Sequence, residues 1–152
     1  MGKAANSSIS LKQIHVTDNF WNKYVHLVKD VIIPYQWDIL NDKLEDVETS
    51  HCIENFKIAA GEKEGEFQGA VFQDTDVAKW LEAVGFVLNY ERDEKLEELA
   101  DETIELIGRA QQPDGYLNTY FTIKEPDGRW SNLMEGHELY TAGHMIERSE
   151  EH

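Results

Sequence analysis

The chain has 152 residues, with 14 Lys and Arg against 30 Asp and Glu and a formal charge of −16. So acidic a surface repels phosphate and anionic lipid, which argues against nucleic acid and membrane as partners. The single cysteine, Cys52, excludes an internal disulfide and a cysteine-based zinc site made by this chain alone.

At 41% hydrophobic and 29% charged, the chain suits one soluble domain with a sizeable core. Met1 to Ser10 carries no apolar run, and no window approaches the ~18 apolar residues of a membrane span, so a cytoplasmic location is expected. The periodicity is helical throughout. Phe20, Trp21, Tyr24, Val25, Val28, Val31 and Ile32 mark an amphipathic helix, with Thr17 or Asp18 as N-cap and Pro34 as its end. A second short turn carries Trp37 and Leu40. Another helix starts near Ser50 and runs to a stop at Gly61.

Val77, Trp80, Leu81, Val84 and Leu88 then form one clean helical stripe, capped by Asp74 or Thr75. The next helix starts after Asp93 and buries Leu96, Leu99, Ala100, Thr103, Ile104, Ile107 and Ala110. Pro113-Asp114-Gly115 is a turn, because proline presets φ and glycine accepts a positive one. Tyr116 to Trp130 reads as a long aromatic-rich loop, extended at Tyr120 to Ile123 and turning again at Pro126-Asp127-Gly128. A last helix carries Gly136-His137-Glu138-Leu139-Tyr140-Thr141-Ala142-Gly143-His144. Trp21, Trp37 and Trp80 lie on helical stripes and are expected in the core. Glu82, Glu91 and Glu94 read as solvated charges.

The last helix begins like the zinc-protease pattern HExxH, in which histidines at i and i+4 share one face. Here His137 and His144 are seven residues apart, roughly 10 Å along a helix axis rising ~1.5 Å per residue. Zinc–nitrogen bonds are about 2 Å, so the pair does not suit one ion. What remains is a face bearing His137, Tyr140 or Thr141, and His144, which either lines a polar pocket or simply caps and packs. Phe72-Gln73-Asp74, just before a helix, either reaches a ligand or caps that helix. Tyr116 either faces a sugar ring or fills a turn. Cys52, with only His51 as a basic neighbour, reads as a buried inert thiol.

Five strings in order, VIIPYQWDILND, SHCIENFKIAAG, FQDTDVAKWLEA, RAQQPDGYLNTYF and GHELYTAGHMIE, resemble the start of the catalytic domain of glycoside hydrolase family 127, the β-L-arabinofuranosidase family. The resemblance runs from about His15 to Glu147. It implies an all-α fold, the N-terminal portion of an (α/α)6 barrel with about five of its helices. Residues 1–14 would then be a flexible segment and 15–152 an incomplete part of the barrel. It also implies a retaining exo-glycosidase that releases terminal β-L-arabinofuranose from an arabinose-containing carbohydrate. In that family a zinc-held cysteine is the nucleophile and a separate glutamate the general acid/base. Zinc keeps such a sulfur as thiolate at neutral pH.

Those zinc ligands, the nucleophile and the acid/base lie beyond the matched stretch, and Cys52 aligns with none of them. No catalytic residue, metal ligand or cofactor is therefore expected in this chain. His137 matches a family histidine that contacts arabinose. Gln73 and Asp74 lie in a family-like loop on the pocket side, while Glu138 supports the loop or helix start and is not the catalytic acid. The acidic end, Glu147 to His152, stops where the helix would run on, which reads as truncation. An open arc of helices exposes apolar faces, so homo-oligomerisation is expected. Three readings follow: an inactive N-terminal part of a family 127 glycosidase, a non-catalytic carbohydrate-binding or self-associating module, or an independent enzyme using carboxylates and His137.

Overall fold

The computed structural model describes residues 13–149, and among these it contains helices and no strand. The N-terminal segment expected to be flexible therefore falls almost wholly outside the described residues, as does His152. The helices are α1 (Asn19–Leu27), a π-turn (Val28–Ile32), α2 (Ile33–Leu40), α3 (Cys52–Ala59), α4 (Asp74–Tyr90), α5 (Glu94–Ala110), α6 (Thr119–Ile123), a 3₁₀ turn (Pro126–Gly128) and α7 (Glu138–Ser149).

Two starts follow the local rules. Asp18 accepts from the N–H of Phe20 and Trp21, and Asp93 from those of Lys95 and Leu96. The α3 stop is a Schellman motif: the Gly61 N–H donates to the Ile58 carbonyl and the Glu62 N–H to that of Lys57, with Gly61 at φ +73°.

Pro34 does not end the first helix. The backbone widens into the π-turn before it, the Ile33 N–H donates five residues back to Val28, and the helix continues as α2. The wider turn relieves the clash a proline makes with the carbonyl four residues earlier, and at the second position of α2 its missing N–H costs little. The piece at Tyr120 to Ile123 is helical rather than extended, because the Asn118 side chain caps it by accepting from the Phe121 N–H at 3.1 Å.

The helices form two rows. α4 packs against α2 on one side and α7 on the other; behind them α3 packs against α5 and α6. The core lies between the rows, around Ile33, Cys52, Phe56, Val77, Trp80 and Val84. Trp80 is buried, stacks on Trp37 at 4.5 Å, and donates its indole N–H to the Ile33 carbonyl at 3.1 Å. Trp21 departs from expectation. It is 60% exposed, in a cluster with Phe20 and Tyr24 on the open face of α1, which buries none of its residues. The α5 face is the expected one for Ala100, Thr103 and Ala110, which are buried, and for Leu96, Leu99 and Ile107, which pack on the core; Ile104 departs from it, being exposed, and Leu106 is buried in addition.

Candidate functional site

The candidate residues lie where α4 and α7 begin, at the seam between these two helices. Gln73 immediately precedes α4. Its amide oxygen accepts from the Ala70 N–H at 3.3 Å; its amide nitrogen donates to Asp76 at 2.8 Å and to the Ser50 hydroxyl at 3.3 Å. The Cys52 thiol donates to the Gln73 carbonyl at 3.4 Å. The Gln73 side chain thus ties the α4 start to the α3 start.

Asp74 does not cap α4. It is 1% exposed and reaches across to α6, accepting from the Thr119 N–H at 2.7 Å and from the Thr119 hydroxyl at 2.5 Å. Burial raises its pKa from the ordinary 3.8 to about 6, although both Thr119 bonds act in the opposite direction. Thr75 is buried as well, so neither expected cap acts as one.

His137 sits just before α7 in the left-handed region, at φ +51°. Its carbonyl accepts from the Thr141 N–H at 2.9 Å and opens the helix. Gly136 makes the close approach that places it: a Cβ there would lie 2.8 Å from the Asn132 carbonyl oxygen and 3.0 Å from the Phe121 ring. The imidazole stands edge-on to Phe72 at 5.1 Å and to Tyr140 at 6.2 Å. Among the described residues neither of its nitrogens has a hydrogen-bond partner, and the ring is only half-buried. An imidazole nitrogen can donate to or accept from a ligand hydroxyl. His144, two turns on, stacks edge-on to Tyr140 at 4.6 Å, and its Nδ1 is buried without a partner among the described residues.

Glu138 supports the loop that precedes α7. Buried at 1% exposure, it accepts from the Tyr116 hydroxyl at 2.5 Å and the Trp130 N–H at 2.7 Å. Burial first, and then the bond to Glu138, push the Tyr116 hydroxyl well up. Arg129 lies 4.1 Å over the other side of the Tyr116 ring. Tyr116 thus fills a buried turn, and it also lines a cavity beside α7. The sequence signal for this network was the motif itself, a Glu placed directly after the helix-opening His; its partners, 8 and 22 residues earlier, were not legible.

A cavity of about 420 Å³ opens on the opposite side of α7, against α5. Leu81, Ile104, Ile107 and Met145 make most of its wall apolar, and Gln111, Tyr116, Asn118, Trp130 and Glu138 complete the lining. Among the described residues no three His, Cys, Asp or Glu side chains converge on a point. Cys52 is fully buried, and burial followed by the Asp74 charge holds its thiol well above the ordinary value. These residues do not fit the metal that the family resemblance implies.

The profile of the Beta-L-arabinofuranosidase, GH127 catalytic domain matches residues 13–152. The chain belongs to this family. The Non-reducing end beta-L-arabinofuranosidase of Bifidobacterium longum subsp. longum is 40% identical over 150 residues, a match covering 88% of this chain and 23% of that protein. The crystal structure of a GH127 β-L-arabinofuranosidase from Geobacillus stearothermophilus T6 superposes with a TM-score of 0.86 at 63% identity, over 88% of this chain and 21% of that one. A second GH127 β-arabinofuranosidase structure gives 0.83 at 31% identity, over 95% and 23%. The chain spans less than a quarter of the length of each of these relatives. Its two rows of helices are the N-terminal arc of the family's (α/α)6 barrel. No helix among the described residues is long and apolar enough to cross a membrane.

Proposed function

We propose that this chain supplies one wall of the sugar pocket of a retaining glycoside hydrolase that acts on terminal β-L-arabinofuranose. The match to the family catalytic domain over residues 13–152 carries this reading. The half-buried imidazole of His137, whose nitrogens are free to meet a ligand, supports it. His137 is the sugar-contacting side chain, and Gln73 lies beside it on the same seam. Asp74 belongs to this edge as well; its carboxyl is held by Thr119, so it shapes the edge through α6. The nucleophilic cysteine, its zinc and the acid/base of the family come from outside the stretch this chain matches, and alone the chain does not turn over substrate.

The test is a titration of the chain with L-arabinose, followed by two-dimensional NMR, alongside hydrolysis of an aryl β-L-arabinofuranoside. Arabinose is expected to shift amides of residues 70–76 and 136–141, His137→Ala is expected to abolish those shifts, and no hydrolysis is expected. Identical titrations for the parent and His137→Ala would overturn the assignment of His137, and turnover by the purified chain would overturn the division of labour.

A second reading, self-association, is favoured by one observation. Phe20, Trp21 and Tyr24 form an exposed aromatic cluster on α1, with ring centroids 5.1 to 6.0 Å apart. Light scattering of the chain and of Trp21→Ser would decide it: a monomer for both at high concentration removes this reading.

A further inference from the structure

The observation that carries furthest is the manner in which His137 is held. No side-chain hydrogen bond fixes its imidazole among the described residues, yet its backbone is pinned in a left-handed conformation by the packing of Gly136. What surrounds the ring is other rings. Phe72 comes from the loop before α4 and Tyr140 from the first turn of α7. The three centroids make a closed triangle, with Phe72–His137 at 5.1 Å, His137–Tyr140 at 6.2 Å and Phe72–Tyr140 at 6.4 Å. Interplanar angles of 71°, 73° and 85° make every side an edge-to-face contact, the geometry that aromatic quadrupoles favour. On its far side Tyr140 is braced by His144 at 4.6 Å and by the Lys79 ammonium 5.8 Å from its ring centre.

Core packing does not account for this cluster. Phe72 is 40% exposed and Tyr140 46% exposed, so both rings give up burial to stand where they do. We infer that Phe72 and Tyr140 are positioning residues for His137, holding its imidazole between two ring edges so that its nitrogens face the ligand side. The inference deepens the proposed sugar site and rests on that reading for its purpose, but the positioning itself is testable without sugar. An imidazole held by ring contacts alone keeps both nitrogens free for hydroxyls, whereas one oriented by a protein hydrogen bond spends one of them. Tyr140 is the hub, because it touches His137, Phe72, His144 and Lys79 together.

The experiment uses the intact chain with isotope-labelled histidine. Six histidines give resolvable imidazole cross-peaks, and His137→Gln assigns the one that matters. Tyr140→Phe keeps the ring and is expected to leave the His137 peaks near their parent positions. Tyr140→Ala and Phe72→Ala remove a ring and are expected to shift and broaden them, with the amide spectrum of the core unchanged. Because both residues are exposed, these variants are expected to fold; Tyr140→Leu, which keeps apolar bulk without a ring, is the second probe. His137 peaks in Tyr140→Ala at the parent positions would overturn the inference, as would Tyr140→Phe moving them as far as Tyr140→Ala does. In an L-arabinose titration, Tyr140→Ala is expected to weaken binding two- to tenfold and Tyr140→Phe less than twofold. If the parent chain does not bind L-arabinose, the sugar reading fails, while the imidazole peaks still decide the positioning.

Discussion

Asp74→Asn tests the polar link between the two rows of helices. The parent carboxyl is 1% exposed, holds two bonds from Thr119, and has its pKa raised from 3.8 to about 6 by burial. The folded chain therefore binds this proton more tightly than the unfolded chain. The stability it contributes is full below about pH 3.8 and is lost as the pH rises through about 6. Integrated between pH 5 and pH 7, the linkage amounts to a loss of about 1 kcal/mol. At pH 5 the protonated carboxyl can donate to the Thr119 hydroxyl across the same 2.5 Å contact, so the junction survives the change of charge. Asparagine matches the shape, can still accept from the Thr119 N–H, and cannot titrate.

Urea unfolding at pH 5, 6 and 7 measures the effect for both proteins. The chain's other carboxylates make both curves depend on pH, but they are common to the two, so the difference isolates Asp74. The stability difference, parent minus Asp74→Asn, is expected to fall by about 1 kcal/mol from pH 5 to pH 7. Two curves that stay parallel across this range would show that Asp74 ionises as an ordinary surface carboxylate, and the burial argument would be wrong. Asp74→Ala, which strands the buried Thr119 N–H, is expected to cost about 2–5 kcal/mol at every pH, since each unsatisfied group costs about 1–3 kcal/mol.

Other substitutions probe the rest of the site. Gly136→Ala drives a methyl against the Asn132 carbonyl oxygen at 2.8 Å; it is expected to cost about 1–3 kcal/mol in urea unfolding and to move the His137 imidazole peaks. Glu138→Ala removes the acceptor of the Tyr116 hydroxyl and the Trp130 N–H and is expected to cost about 2–5 kcal/mol, whereas Glu138→Gln recovers most of it. Thr141 is fully buried with a hydroxyl unpaired among the described residues, so Thr141→Val is expected to leave the thermal midpoint unchanged or raise it. Phe56→Ala, at the centre of the core, is expected to cost about 3–5 kcal/mol.

What could be read from the sequence was what is local. Asp18 and Asp93 cap their own helices, and Gly61 stops its own, so these boundaries needed no knowledge of the rest of the chain. The stripe of α4 was legible because its period repeats over about three turns. What failed did so for different physical reasons. Asp74 looks like a cap, but Thr119, 45 residues later, takes its carboxyl. Tyr120 to Ile123 has strand-forming residues, yet a neighbouring asparagine caps them into a helical turn. Trp21 looks like core, but it lies on the open face of α1. His137 was found through its motif and Tyr140 through its place on the same helix face, while the contact with Phe72, 65 residues away, was not legible, because only the packing of α4 on α7 makes it.

The misread positions and the candidate site share a cause. A helix start supplies free N–H groups and a change of chain direction, and here three helix starts are joined through side chains. Gln73 ties the α4 start to Ser50 at the α3 start, and Phe72 ties it to His137 at the α7 start. Two of these starts are preceded by histidines in the left-handed region, His51 at φ +56° and His137 at φ +51°. Such a conformation is costly for a residue with a side chain and persists only where the surroundings over-determine it. For His51 the surroundings are plain: Asp42 accepts its N–H at 3.0 Å and pairs with its imidazole at 3.3 Å. For His137 the backbone is fixed by Gly136 and the helix it opens, while the imidazole is held by rings alone. The same backbone device thus serves two ends, an imidazole paired with Asp42 at His51 and an imidazole set among Phe72 and Tyr140 at His137. The difference lies in whether a carboxylate is there to use the nitrogens.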